Sequence, residues 1–271
     1  LSRRALLIYK TYDFFLTGSF MHGDFAKQNM IKLGFTESKL HIIYNSLNYD
    51  ETKKIRLSSE LRDSPYKDSF KNENPIILFI GRLTKVKKLD MILKAYSILK
   101  DKGVFVNVVF IGDGPERAKL VESIRENEKD NFLFVGELYD ENVIAKYISN
   151  ADICVSPGNV GLTAIHAHSY GLPVITNDDF VSQMPEFEVI QDEYTGCFFK
   201  NDDIFDLVNK ISLWLERKIA KDTQKEYCYK IIDEKYNPYN QLRIFKNVLD
   251  VWITLYITKY FYMRILWIAP N

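Results

Sequence analysis

Two short stretches carry residue types that together could hold a pyrophosphate. The first, Gly81-Arg82-Leu83-Thr84-Lys85-Val86-Lys87-Lys88, follows directly on an apolar run. Glycine at that point lets the backbone turn tightly. Arg82 would supply a planar fork and Lys87 a point charge, the two kinds of cation that grip phosphate. The plainer reading of the same residues is a solvated basic loop. The second stretch runs Ser156-Pro157-Gly158-Asn159-Val160-Gly161-Leu162-Thr163-Ala164-Ile165-His166-Ala167-His168. Gly158 and Gly161 allow a ligand close to the backbone, and free N–H groups at the helix start that follows bind phosphate. It is neither a Walker loop nor a G-x-G-x-x-G fingerprint. His166 and His168 stand two apart, so on a helix they face different ways, which is a poor spacing for a shared metal.

Two further stretches are weaker. Gly112-Asp113-Gly114-Pro115 could line the same crevice and is also a good turn sequence in its own right. The carboxylates from Asn177-Asp178-Asp179-Phe180 through Met184-Pro185-Glu186-Phe187-Glu188 could be acid/base groups or ordinary surface acids. There is no Asp-x-Asp, no G-x-S-x-G, no H-E-x-x-H and no kinase motif set.

The elements that must position these residues alternate between strand and helix. Phe14–Thr17 reads as a strand, Gly23–Leu33 as a helix and Leu40–Tyr44 as a strand. Ile76–Ile80 is a continuous apolar run, as in a strand covered on both faces. Leu89, Ile92, Leu93, Tyr96 and Leu99 mark one face of a helix. Strands over Phe105–Ile111, Phe132–Val135, Ile153–Val155 and Pro173–Thr176 follow, with helices to about Asn127, over Glu141–Ser149 and over Leu162–Tyr170. Helices over Ile204–Leu215, Gln224–Lys235 and from Pro238 toward Leu249 close the pattern. This predicts an α/β fold with a doubly wound parallel sheet, whose ligands sit beyond the carboxyl ends of the strands. The loops at Gly81, Gly112, Gly136 and Pro157 should therefore line one crevice.

Composition narrows the class. Over 271 residues, 36 Lys+Arg balance 36 Asp+Glu, which argues against a polybasic nucleic-acid binder. With 46% hydrophobic and 27% charged residues the chain is not disordered. Three cysteines without a C-x-x-C imply a reducing compartment and no zinc site. The chain opens without Met or an apolar leader run, and is read as a fragment cut at its amino end. Val251–Ala269 is nearly all apolar, but Lys259 and Arg264 interrupt it. A helix or strand docking on a neighbour is the first reading of this tail, and interfacial membrane contact the alternative.

Taken together, these residues resemble a family 4 retaining glycosyltransferase (group 1) of the GT-B fold. Ile80–Leu89 resembles that family's Gly-Arg-Leu…Lys strand-end motif. Gly112–Pro115 and Phe134-Val135-Gly136 fall at its next two loops, and Ser156–Ile175, ending Gly171-Leu172-Pro173-Val174-Ile175, at its donor loop and helix. Leu16–Ser19 and Lys39–Ser46 resemble the end of its acceptor domain, and Met263–Asn271 the opening strand of another such enzyme.

The resemblance implies a remnant of a Rossmann-like acceptor domain over 1–50, a linker over 51–74 and a Rossmann-like nucleotide-sugar-binding domain over 75–236. A cross-over helix over 237–250 and an atypical apolar tail over 251–271 complete the expected plan. It further implies transfer of a hexose from a nucleotide diphosphate sugar to a polysaccharide or lipid-linked acceptor, with retention and without a metal or cofactor. Arg82 and Lys87 would grip the donor's phosphates and stabilise the leaving diphosphate. Gly81, Gly112 and the amides near Gly161, Leu162 and Thr163 would complete the cradle, and Val135 and Gly136 would face the base. The family commonly has two Glu residues in the 158–166 loop. Gly158 and His166 stand at those positions here, so Asn159 or a main-chain group would replace the sugar contact and His166 would meet the ribose. A cytoplasmic location follows, with peripheral contact at the inner face of the membrane left open. A nucleotide-sugar-binding module or inactive fragment without turnover, and a non-hydrolysing nucleotide-sugar epimerase, stay open as other readings.

Overall fold

The computed structural model describes residues 8–9, 11, 13–14 and 16–267. The chain divides into two compact units, residues 1–45 with 235–271, and residues 46–234.

The first unit opens with β1 (Ser19–Met21), α1 (Asp24–Lys32) and β2 (Leu40–Ile42), the two strands pairing parallel. The strand expected at Phe14–Thr17 is displaced to Ser19–Met21. The reason lies at Asp13, whose carboxylate accepts from the Thr36 N–H (3.0 Å) and the Thr36 hydroxyl (2.7 Å). That ties down the chain there, with Asp13 and Phe14 helical, and leaves Phe14 80% exposed, outside any sheet.

The second unit begins at Ser46, just ahead of the segment expected to be a linker, and takes that segment in. There α2 (Tyr49–Arg56) buries Tyr49, Thr52 and Ile55, one residue per turn on a single face. Further on, Tyr66 and Phe70 are buried, and the Tyr66 hydroxyl donates to the Tyr147 carbonyl at 2.6 Å. The polar composition of 51–74 masks this sparse apolar spacing. Strand and helix then alternate: β3 (Ile76–Ile80), α3 (Asp90–Asp101), β4 (Asn107–Ile111), α4 (Arg117–Glu122), β5 (Phe132–Gly136), α5 (Glu141–Asn150), β6 (Ile153–Ser156), α6 (Thr163–Ser169), β7 (Val174–Asn177), β8 (Gly196–Phe199), α7 (Ile204–Leu215) and α8 (Lys221–Glu234). β8 is a strand that the sequence pattern does not announce.

The six strands form one parallel sheet in the order β5-β4-β3-β6-β7-β8. Chain order thus runs outward from β3 in one direction, then restarts beside it with β6. That reversal is the switch point at which open α/β sheets bind ligands. β3, β4, β6 and β7 are buried along their whole lengths, as strands covered by helices on both faces must be. Met91, Ile92, Ala95, Tyr96 and Leu99 of α3 and Leu207, Val208 and Ile211 of α7 close over one side. All three cysteines are buried free thiols.

The chain then returns to the first unit as α9 (Pro238–Trp267). The apolar tail continues this helix, so Met263–Trp267 is helical and not an opening strand, while residues 268–271 lie outside the described residues. No glycine or proline interrupts the run between Pro238 and Trp267. No helix among the described residues is long and apolar enough to cross a membrane.

Several helix starts are capped as the sequence dictates. Asp203 accepts from the Phe205 N–H (3.1 Å) and the Asp206 N–H (3.0 Å), seating α7 on the sheet. Asp203→Ala should lower stability by about 1 kcal/mol. The urea midpoint measures it, and an unmoved midpoint contradicts the capping role.

Candidate functional site

Four loops leave the carboxyl edge of the sheet, and three of them are stitched together by backbone contacts. The Gly81 N–H donates to the Ile111 carbonyl (2.9 Å) and the Gly112 N–H to the Gly136 carbonyl (2.7 Å). A Cβ added at Gly112 would lie 2.1 Å from the Gly81 carbonyl oxygen, so only glycine permits this approach. Leu83 N–H donates to the Asp113 carbonyl at 2.9 Å, clasping the Gly112–Pro115 turn to the loop after β3. The Asp113 carboxylate accepts from the Gly114 N–H (2.6 Å) and from Arg117 (3.0 Å). These bonds, the Gly114 one foremost, hold its pKa below the usual range. Asp113 is thus a turn-former with its acceptors already engaged.

The fourth loop, 157–162, joins the others at the switch point. Gly158 packs flat against the loop after β3. Its N–H donates to the Lys87 carbonyl (3.0 Å), and a Cβ there would fall 1.9 Å from the Val86 carbonyl oxygen. Lys87, on the short 3-10 turn Lys85–Lys87, returns the contact by donating from Nζ to the Asn159 carbonyl at 2.6 Å. The Thr163 hydroxyl donates to the Ile80 carbonyl at 3.0 Å. So the cationic loop and the helix start do share one corner of the sheet.

The electrostatics of that corner favour an anion. Arg82 is exposed, and its guanidinium makes no hydrogen bond or ion pair among the described residues. Lys87 is half-buried, and this burial draws its pKa below the ordinary lysine value, while the nearby Cys154 and Glu186 act the other way. Among the described residues, the N–H groups of Gly161, Leu162 and Thr163 have no acceptor. An ammonium, a guanidinium and several backbone donors therefore stand on the loops that leave this edge of the sheet, with Asp113 and Glu137 beside Arg82 and Glu186 near Lys87.

The other expected residues divide between those open to a ligand and those already engaged. Gly158 offers nothing to a ligand through a side chain, and its carbonyl is occupied by donors from Thr176 (3.2 Å), Asn177 (3.0 Å) and Gln183 (3.2 Å). Thr163 offers its amide only, since its hydroxyl is engaged. The Asn159 Oδ1 is buried and has no hydrogen-bond partner among the described residues. His166 donates from Nε2 to Glu141 Oε1 at 2.8 Å, and the Tyr170 hydroxyl reaches the same oxygen at 2.6 Å. Burial raises the pKa of Glu141, but the bonds from His166 and Tyr170 outweigh it and the net shift is downward. His168 is fully buried and donates from Nδ1 to the Leu172 carbonyl (3.1 Å), and burial pushes its pKa down to about 4. It is a core residue.

A cavity of about 240 Å³ opens between Gly81, Arg82, Gly112, Asp113, Glu137 and Tyr139. Val135 and Gly136 end the strand just before it, and its wall is made by the residues that come after them. Tyr139 is 85% exposed with its hydroxyl on Glu137 Oε2 (2.6 Å). A larger cavity, about 540 Å³, lies at the amino edge beside Ile76 and Asp152. The Asp152 carboxylate is already committed to the Ile76 N–H and Lys221, so the carboxyl edge is the better site. Among the described residues no three His, Cys, Asp or Glu side chains gather closely enough to hold a metal.

Reading the sequence missed Glu141, Tyr139 and Gln183. Glu141 meets partners remote in sequence and Gln183 mostly backbone groups, while Tyr139 enters only because its loop lies beside Gly112, so no spacing pattern announces them.

Comparisons with known proteins agree with this geometry. Residues 62–231 match the family of glycosyl transferases group 1. A Klebsiella pneumoniae protein described as an uncharacterized 41.2 kDa protein in the cps region is 28% identical over 199 residues, 70% of this chain and 51% of that protein. The N,N'-diacetylbacillosaminyl-diphospho-undecaprenol alpha-1,3-N-acetylgalactosaminyltransferase of Campylobacter jejuni is 27% identical over 231 residues, 81% of this chain and 58% of that one. Anabaena HepE, solved in complex with UDP, superposes with a TM-score of 0.71 at 15% identity, covering 94% of this chain and 68% of that one. The likeness to HepE shows a shared fold of the GT-B type. The chain spans a little over half the length of these two curated relatives.

Gly158→Ala should cost about 3 kcal/mol or force the two loops apart, because the added methyl meets backbone and not a flexible side chain. Chemical denaturation reads this out. A variant as stable as the parent would mean the loops do not pack as described.

Proposed function

The chain belongs to the glycosyl transferases group 1, and on that footing we propose that residues 46–234 hold the diphosphate of a nucleotide-sugar donor at the corner between β3 and β6. The observation that carries the reading is the junction of Lys87 and Gly158, which puts a cationic loop and a glycine-bent helix start side by side. Arg82 and Lys87 act on the leaving nucleoside diphosphate. As the glycosidic bond breaks, negative charge grows on the phosphate oxygens, and fixed cations and amides lower the energy of that state. No metal is needed for this. HepE, which shares the fold, was solved with UDP, which supports a nucleotide as the ligand.

The reaction we propose is transfer of a hexose with retention, as the family 4 resemblance implies. The donor's own phosphate oxygen takes the acceptor's proton. His166 contacts the ribose through the ring edge left after Nε2 binds Glu141. Asn159 Oδ1, buried without a partner, accepts from a sugar hydroxyl in place of the side chain that Gly158 lacks. The cavity at Gly112 and Tyr139 takes the base. The Campylobacter relative is named for a diphospho-undecaprenol acceptor, and the Klebsiella relative for a cps region. Both favour a glycan or lipid-linked glycan as acceptor, which would bring the enzyme to a membrane surface as a peripheral protein.

Calorimetry with UDP and GDP tests the reading directly: the chain should bind one of them. Arg82→Ala should weaken that binding by about 1.5–3 kcal/mol, the worth of a charge-assisted hydrogen bond. Absence of heat with both nucleotides, in folded protein, rejects the donor site, and an unaltered affinity rejects the role of Arg82.

His166→Ala should weaken ribonucleotides more than their deoxy counterparts. Equal losses in the two titrations would remove His166 from the ribose.

A further inference from the structure

Gln183 sits in the loop after β7, between neighbours that face water: Val181 is 84% exposed and Met184 48%. Its own side chain turns inward. Oε1 accepts from the Val160 N–H at 2.8 Å. Nε2 lies within hydrogen-bond distance of the Gly158 carbonyl (3.2 Å), the Thr176 hydroxyl (3.0 Å) and the Asn177 carbonyl (3.2 Å). One planar head thus bridges the end of β7 to the loop 157–160. Asn177 adds to the clamp by donating from Nδ2 to the Pro157 carbonyl at 2.8 Å, and Thr176 by donating to the Ser156 carbonyl at 2.8 Å.

The residue between the two that Gln183 grips is Asn159, whose carbonyl receives the Lys87 ammonium. Holding 158 and 160 therefore fixes the acceptor that, among the described residues, directs this lysine. An amide suits the task because it pairs an acceptor with donors and carries no charge. A carboxylate in its place would repel the Gly158 and Asn177 carbonyls and set a negative charge near the cations.

We infer that Gln183 is a positioning residue for the donor's diphosphate, acting through loop 158–160 to hold Lys87 in the anion site. This rests on the donor reading above. Gln183 does not touch the ligand; it sets where the lysine charge stands.

The test is a double-mutant cycle read by calorimetry. The probes are UDP or GDP, whichever the unmodified chain binds, and the matching nucleoside. Gln183→Leu keeps the volume and removes every bond. It should weaken the nucleoside diphosphate about tenfold and the nucleoside by less than about twofold. In a Lys87→Ala background the same substitution should cost nothing further. A comparable loss for nucleoside and diphosphate, an unchanged diphosphate affinity, or a full additional loss without Lys87 overturns the inference. Should Gln183→Leu not fold, Gln183→Met, which keeps the unbranched shape and adds no charge, is put through the same comparisons. An unmodified chain that binds neither nucleotide overturns the donor reading, and this inference with it. An unmodified chain that binds, beside a Gln183 variant that binds equally well, overturns this inference alone.

Discussion

Everything proposed for this molecule depends on a single close approach, the backbone of Gly158 lying against that of Val86 and Lys87. Two loops that leave neighbouring parallel strands ordinarily diverge. Here a missing side chain lets them touch, and a hydrogen bond in each direction keeps them together. The topology explains why it matters at β3 and β6. These are the strands at which the winding reverses, so their crossovers go to opposite faces and leave a crevice between the loops.

The charges at that crevice divide the work. Arg82 stands in solvent without a partner among the described residues and is placed to meet an incoming anion first. Lys87 is held by a carbonyl and half-removed from water. About half of its dehydration precedes any ligand, so less of the binding free energy goes into stripping its water. A lysine held this way is better suited than a mobile one to a charge that appears only as a bond breaks.

Much of this was visible in the residue string, and the reasons are particular. Ile76–Ile80 and Ile153–Val155 are unbroken apolar runs ended by glycine or proline, so their strand character and their loops could be placed from residue types alone. Arg82 and Lys87 follow the first of these strands, and side-chain charge is written in the residue name. Where the sequence pattern misleads, tertiary contacts decide. Asp13 bonds Thr36, 23 residues away, and keeps Phe14–Thr17 out of the sheet. The buried face of α2 rests on Tyr49, Thr52 and Ile55, scattered among charged residues, and so looks like a linker. The glycine at 158 was legible as a place where something comes near. That the something is another loop, and not a ligand, is a fact about two segments 72 residues apart.

Under the proposed donor reading, in which position 158 lies by the transferred sugar, the mutual fit of those loops also bears on how such a protein can change its choice of sugar. A carboxylate cannot be introduced at position 158 by one substitution, because the space is taken by the Val86 carbonyl. The segment 85–88 would have to withdraw at the same time. Swapping selectivity between relatives is therefore a matter of moving both segments as a cassette, and chimeras that exchange only one would inherit a steric conflict in place of a new preference.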